Sequence, residues 1–368
     1  MKAWVLHDIG DIRLESVKDP ALKEGEVLVA VKAAGICGSD IPRIYRTGAY
    51  SYPLIPGHEF SGIVVDGKKA VRAGEAGIGS DMGTEKRWLG KRVGIFPLIP
   101  CNTCLPCRKK QYEMCRHYSY LGSRRDGGFA EYVAVPADNL LELPDSVSFE
   151  EAAMLEPMAV AVHAMKKAML EEGTAVVCGL GTIGLLLVMF LQEAGVKDLL
   201  VIGNKEFQRQ TVLTMGLPED CYCDSRSQNV DQWLMKQTDG QGADIFFECV
   251  GKNETFMQAI NSTAPAGRVC LVGNPYSDML LNRNVYWKIL RNQLTVLGTW
   301  NSSFTHEAGD DWHYALDRLS KKKICPSQLI SHRFSLKEEM EKGFQIMRDK
   351  TEDYIKIMGI EENLTMAK

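Results

Sequence analysis

The sequence predicts a two-domain α/β chain, one domain a β-rich barrel and the other a doubly wound parallel sheet flanked by helices. Three observations carry that expectation. At 368 residues the chain exceeds the roughly 250–300 at which a single hydrophobic core stops growing. Residues 1–60 alternate short apolar runs with turns, as in Val27-Leu28-Val29-Ala30-Val31-Lys32 ahead of Gly35, and have little helical periodicity. From about residue 150 the pattern changes to strands alternating with helices.

Taken in order, the β-rich stretch is followed by residues 66–92, which are rich in glycine and charge (Gly67, Gly74, Gly77, Gly79, Gly83, Gly90) and read as turns in a surface excursion. Thr174–Cys178, Asp198–Ile202, Ala243–Val250, Val269–Val272 and Leu294–Leu297 read as strands, with Ile183–Ala194 as the helix after the first. Helices are expected at Trp312–Lys322 and Leu336–Arg348, before a closing run, Tyr354-Ile355-Lys356-Ile357-Met358-Gly359.

Composition excludes several classes. A hydrophobic content of 45%, a charged content of 24% and 33 glycines are ordinary for a globular protein, which argues against disorder, collagen and disulfide scaffolds. The 43 Lys+Arg against 47 Asp+Glu give a net charge of −4 with no long basic block, so no nucleic-acid partner is expected. No stretch approaches the roughly 18 apolar residues of a membrane span. The start, Met1-Lys2-Ala3-Trp4-Val5, runs into Asp8, Asp11 and Arg13 instead of an apolar leader, so the expectation is a cytoplasmic protein without a membrane partner.

Four of the 11 cysteines crowd into Cys101-x2-Cys104-x2-Cys107-x7-Cys115. Four thiolates that close in sequence let one loop wrap a tetrahedral zinc at about 2.3 Å per bond, leaving no position open for substrate. A second set is dispersed: Cys37-Gly38-Ser39-Asp40, Gly57-His58-Glu59 and Glu156-Pro157. A thiolate, an imidazole and a carboxylate make the open shell that a Lewis-acid zinc needs. Read alone, Cys37 is a small buried hydrophobe and His58 a satisfied histidine, and spacing does not join them.

A third pattern is Ala175-Val176-Val177-Cys178-Gly179-Leu180-Gly181-Thr182-Ile183-Gly184, an apolar strand running through G-x-G-x-x-G into a helix. Gly179, Gly181 and Gly184 permit a tight turn and close approach of a pyrophosphate to the backbone at Thr182 and Ile183, the dinucleotide arrangement of a Rossmann domain. The next strand ends in Gly203-Asn204-Lys205, where NAD binders usually carry an acid for the ribose hydroxyls. Room at Gly203 and positive charge from Lys205 and Arg209 suit a 2′-phosphate, so NADP(H) is favoured over NAD(H); the bland alternative makes Lys205 a solvated surface residue. Cys221, Cys223, Cys249, Cys270 and His163 read as core packing, and His306, His313 and His332 have no ligand-like spacing.

With these residues in place, the chain resembles the zinc-containing medium-chain dehydrogenase/reductase superfamily over nearly its full length. The segments Gly35-Ile36-Cys37-Gly38-Ser39-Asp40-Ile41-Pro42-Arg43-Ile44, Gly57-His58-Glu59-Phe60-Ser61-Gly62 and Gly122-Ser123-Arg124-Arg125-Asp126-Gly127-Gly128-Phe129-Ala130-Glu131-Tyr132 are similar to its branch acting on sugar-alcohol phosphates of the galactitol 1-phosphate type. Sorbitol and threonine dehydrogenases are more distant. The resemblance implies a GroES-like catalytic domain at 1–158 with a structural zinc lobe at about 97–118, a Rossmann domain at 159–294, a return to the catalytic domain at 295–368, and an active site in the cleft between the two domains.

It further implies two zinc ions per chain, the catalytic one held by Cys37, His58 and Glu156 with Glu59 as a variable ligand. Asp40 would orient His58, and Ser39 would begin a proton relay. The reaction expected is hydride transfer between a secondary alcohol and NAD(P), with an unphosphorylated polyol, diol or L-threonine as alternative substrates and a non-catalytic NADP(H)-binding redox sensor as a distant alternative. Arg43, Arg46, Arg124 and Arg125 are candidates for a substrate phosphate, and Trp300-Asn301 for cleft lining or plain packing. A homodimer through edge strands near Val285–Thr299 is expected, with a homotetramer as the alternative. Two departures from the family pattern are the long polar stretch at 66–92 and Gly203.

Overall fold

The computed structural model describes residues 1–67, 87–169 and 173–361. Its most informative strand is Glu26–Ile36. Val27, Val29 and Val31 are buried while Leu28, Ala30 and Lys32 are half-buried, the alternation of a strand with one face on a core; Ala33–Ile36 are then buried throughout. The strand thus enters the interior just before Cys37. Its neighbours form a seven-stranded sheet in the order Ile330–Ser335, Lys356–Ile360, Glu26–Ile36, Glu59–Gly67, Arg92–Ile95 and Leu140–Glu142, with Tyr132–Pro136 also pairing to Glu26–Ile36. Only the pair Ile330–Ser335 and Lys356–Ile360 is parallel.

Register explains the site that follows. Gly35 lies opposite Glu59 on one side and Met358 on the other, so the ends of three strands converge at residues distant in sequence. Gly35 is required there: a Cβ would lie 2.4 Å from the Glu59 carboxylate and 2.7 Å from Lys356 Cε. These strands belong to one compact unit, Met1–Glu156 with Phe304–Lys368; the other unit is Pro157–Ser303.

The second unit holds a six-stranded, wholly parallel sheet in the order Tyr222–Asp224, Asp198–Gly203, Thr174–Cys178, Ala243–Glu248, Thr263–Leu271, Thr295–Gly298. Counted within the unit this is 3-2-1-4-5-6, the doubly wound order with its switch point beside the first strand. Helices Thr182–Glu193, Glu206–Thr214, Val230–Gln237, Asn253–Ser262 and Arg283–Arg291 lie between its strands in sequence. Its core includes Val176, Ile202, Leu234, Phe246, Ile260 and Val269.

Several expectations need correction. The second unit extends to Ser303, beyond 294, because Thr295–Gly298 pairs with Arg268–Leu271 as the sheet's edge strand. Tyr222–Asp224, where Cys221 and Cys223 flank Tyr222 at strand-like alternation, forms a further strand of three residues. The helix expected from Leu336 starts at Met340, since the Leu336 N–H is held by the Ile360 carbonyl at 2.9 Å as an extension of the sheet. Most of the expected excursion at 66–92 lies outside the described residues, but Trp88 near its end is buried in the first unit's core. Among the described residues, no helix is long and apolar enough to cross a membrane.

Candidate active site

Cys37 follows the strand Glu26–Ile36, and His58 and Glu59 sit where Glu59–Gly67 begins, so their donor atoms come within 4.8 Å of one another. His58 and Glu59 are buried and Cys37 is half-buried. Asp40, fully buried at the start of the next helical turn, accepts from the Cys37 N–H at 3.0 Å and from Arg43 Nη1 at 2.7 Å. Its Oδ1 lies 3.4 Å from His58 Nδ1, too poorly aligned to make that buried nitrogen hydrogen-bonded. Burial opposes charge on Asp40, but His58, Arg43 and the Cys37 N–H outweigh it and hold the carboxyl below its ordinary range. Burial likewise opposes a charged His58, yet Asp40 and Cys37 raise it well above a normal histidine.

That combination fits a cation. A carboxylate beside one ring nitrogen fixes the imidazole's orientation and tautomer, which is how metal-binding histidines are usually held. The Ser39 hydroxyl donates to Cys37 Sγ at 3.3 Å. Glu156 is not one of the three clustered donors; it is buried nearby and accepts from Tyr120 Oη at 3.2 Å. Burial, with Glu59 adding to it, pushes Glu156 up to about 7 against the pull of His58 and Lys356.

Two residues here escaped sequence reasoning. Lys356 is 2% exposed and forms an ion pair with Glu59 while donating to the Ile36 carbonyl at 3.1 Å. Its signal was a lone lysine inside an apolar closing run. Tyr120 packs edge-on to the His58 ring at 5.8 Å between centroids; nothing in its sequence context marked it.

The four-cysteine group is as compact as its spacing implies. Sγ–Sγ separations are 4.0 Å for Cys101–Cys107, 3.4 Å for Cys104–Cys107 and 3.9 Å for Cys104–Cys115. Such values are far too long for disulfides and close to the edge of about 3.8 Å of a tetrahedron with 2.3 Å bonds. Hydrogen bonds from Thr103 bring Cys101 down to about 5, whereas burial pushes Cys107 up to about 12. Among the described residues these two groups are the ones able to hold a metal.

In the second unit, Gly179 has φ +99° and Gly184 sits so close to it that a Cβ at 184 would be 1.9 Å from the Gly179 carbonyl oxygen. Gly181, before the helix Thr182–Glu193, has nothing within 4 Å of its absent Cβ and leaves open space at the helix N-terminus. At Gly203 a Cβ would lie 2.8 Å from Tyr222 Oη, which donates to the Lys205 carbonyl at 3.2 Å. Arg209, expected to face a phosphate, is instead paired with Glu206 and Glu219. Asn204 donates its N–H to Gln208 Oε1 at 3.0 Å, and Lys205 Nζ lies over the Phe207 ring at 5.1 Å.

The four arginines separate. Arg43 is bound to Asp40, and Arg125 to buried Glu26 at 2.5 Å. Arg124 lies over the rings of Tyr50 and Tyr118, while Arg46 ends the helical turn Arg43–Thr47. Of the residues read as packing, Cys223, Cys270 and His163 are buried whereas Cys221 and Cys249 are only half-buried. Trp300 is exposed, His313 contacts Asp310, His332 contacts Ser331 and Glu352, and His306 packs on Phe304.

Known proteins resemble this chain over most of its length. The alcohol dehydrogenase GroES-like domain matches residues 23–145 and the zinc-binding dehydrogenase domain residues 182–321. Galactitol 1-phosphate 5-dehydrogenase of Escherichia coli (strain K12) is 33% identical over 337 residues, 91% of this chain and 93% of its own. The crystal structure of galactitol-1-phosphate dehydrogenase from Escherichia coli covers 98% of this chain and 100% of its own with a TM-score of 0.84 and 32% identity. L-idonate 5-dehydrogenase of Vitis vinifera is 30% identical over 94% of this chain and 90% of its own. A putative zinc-binding dehydrogenase from Sinorhizobium meliloti 1021, solved with NADP, has a TM-score of 0.82 at 27% identity, covering 98% of each chain.

Proposed function

Since the chain belongs to the zinc-dependent medium-chain dehydrogenase/reductase family, oxidoreductases acting on CH–OH donors, we propose that it oxidises a secondary alcohol of a sugar-alcohol phosphate, galactitol 1-phosphate to tagatose 6-phosphate in type, with NADP+ as hydride acceptor. The observation that carries this reading is the convergence of Cys37, His58 and Glu59 within 4.8 Å around an oriented imidazole, with Ser39 on the thiol. Cys37 and His58 would hold a catalytic zinc, with the carboxylate coming from Glu59, the clustered donor now paired with Lys356, or from Glu156 buried nearby. Zinc bound there supplies Lewis acidity that lowers the pKa of a substrate hydroxyl.

The chain's own residues supply the rest. The negative charge of Asp40, 3.4 Å from Nδ1, would favour the His58 proton on that nitrogen and leave the other ring nitrogen its lone pair. Ser39 Oγ would accept the proton of the alcohol while giving its own to water as the alcohol becomes a ketone; bound NADP+ would supply the acceptor for the hydride that leaves the carbon. The four-cysteine group would hold a second, structural zinc that organises its own loop.

The preference for NADP+ rests on Gly203 and Lys205. Tyr222 occupies the space an acidic side chain at 203 would need, and Lys205 beside it carries positive charge, while Arg209 is paired with Glu206 and Glu219. A homodimer is proposed through the edge strand Thr295–Gly298; Leu280, Tyr286, Trp287 and Leu290, which precede it in sequence, are exposed.

The relative acting on L-idonate favours one alternative, an unphosphorylated polyol. Initial rates on zinc-replete protein with galactitol 1-phosphate and galactitol, each with NADP+ and NAD+, decide between them. Turnover confined to the phosphorylated polyol and NADP+ supports the proposal. Equal rates with galactitol withdraw the phosphate, and faster rates with NAD+ withdraw the cofactor assignment.

A further inference from the structure

Resting on the polyol-phosphate reading, we infer that Arg124, held between Tyr50 and Tyr118, is the group that recognises the phosphate monoester of the substrate. The argument begins with elimination among the four arginines. Arg43 is committed to fully buried Asp40 and Arg125 to Glu26, and drawing either away would strip a buried carboxylate of its partner. Arg46 and Arg124 remain, and no side-chain hydrogen bond or ion pair occupies either one among the described residues.

Position separates those two. The turn Leu121–Arg125 is fastened by Arg124 and Arg125 N–H groups to the Tyr120 carbonyl at 2.9 and 3.1 Å, and by Gly122 N–H to the Arg125 carbonyl at 2.7 Å. It lies directly on the backbone before His58: a Cβ at Gly122, where φ is +79°, would be 2.4 Å from the Gly57 carbonyl oxygen. From that turn a ridge of rings leads back to the donor cluster. Arg124 Cζ lies 4.6 Å from the Tyr118 ring centre, Tyr118 is 6.2 Å from Tyr120, and Tyr120 is 5.8 Å from His58. Arg46 sits in the turn Arg43–Thr47 that continues from Asp40–Pro42, but among the described residues no aromatic ring holds its guanidinium.

Chemistry completes the case. Arg124 Cζ lies over two rings, 4.2 Å from the centre of Tyr50 and 4.6 Å from that of Tyr118. Its N–H groups, engaged by no side-chain partner among the described residues, can offer a planar, bidentate contact, the geometry in which arginine binds phosphate oxygens. Stacking also fixes the fork in advance, so less side-chain entropy is lost on binding. Arg124 and Tyr50 are exposed, so the cation is accessible to a phosphate group.

The test is Arg124→Ala and Arg124→Lys in the full-length, zinc-loaded enzyme, assayed with galactitol 1-phosphate and with galactitol. The expected result is a rise in KM for the phosphorylated polyol of about 10–100-fold, the loss of one charge-assisted contact, with little change in its kcat. The ratio of kcat/KM for phosphorylated over unphosphorylated polyol falls by the same factor. Arg124→Lys recovers only part, because an ammonium keeps the charge without the fork. A wild-type preference for phosphate that persists in Arg124→Ala overturns the assignment and leaves the polyol-phosphate reading standing. A wild-type enzyme with no such preference overturns both.

Discussion

The two donor groups of the first unit are built in opposite ways. Cys101, Cys104, Cys107 and Cys115 come from one short loop and present four like ligands whose separations already approximate a tetrahedron. Cys37, His58 and Glu59 come from two strand ends, differ in chemistry, and are held by neighbours: Asp40 behind His58, Ser39 on Cys37, Lys356 on Glu59 and Tyr120 on Glu156. A closed set of identical ligands makes its loop depend on the ion. An open set must be positioned by the fold, so its supporting residues determine its function.

Disturbing those supports sharpens the contrast. The largest effect is expected for Lys356→Met, which leaves the Glu59 carboxylate buried without its cation. Stability should fall by about 3–5 kcal/mol, read as a lower midpoint in urea, while Lys356→Arg retains most of it. Asp40→Asn should come next: the imidazole loses its orienting charge, and affinity at the dispersed site should drop about 10–100-fold, measured by chelator competition with the four-cysteine zinc still in place. Tyr120→Phe should be smallest, removing one hydrogen bond to Glu156 for about 1 kcal/mol, seen in turnover and not in zinc content. Equal losses at both zinc sites in Asp40→Asn would break the comparison.

The same contrast explains what was legible in the sequence. The four-cysteine group could be read directly because ligand spacing along one loop nearly dictates ligand spacing in space. The glycines at 179, 181 and 184 were legible for a similar reason, a strand, turn and helix being contiguous. Lys356 could not be found that way: its partnership with Glu59 exists only because residues near 36, 59 and 357 share a register. Arg43 and Arg125 were placed in a phosphate site on their proximity to the motifs, and the fold instead spends them on Asp40 and Glu26. Arg209 failed likewise, because Glu219 reaches it from outside its own helix. Leu294–Leu297 reads as a strand in the sequence, but only its pairing with Arg268–Leu271 puts it in the second unit's sheet and moves the boundary to 303.

The measurement that bears most directly on the central claim is zinc content per chain alongside turnover for wild type, Cys37→Ser and Cys107→Ser. The account predicts two zinc ions in wild type and one in Cys37→Ser, which should keep its fold while turnover drops by about three orders of magnitude or more. Cys107→Ser should lose the other ion together with stability. Two zinc ions and undiminished turnover in Cys37→Ser would contradict the assignment of the dispersed group as the catalytic centre.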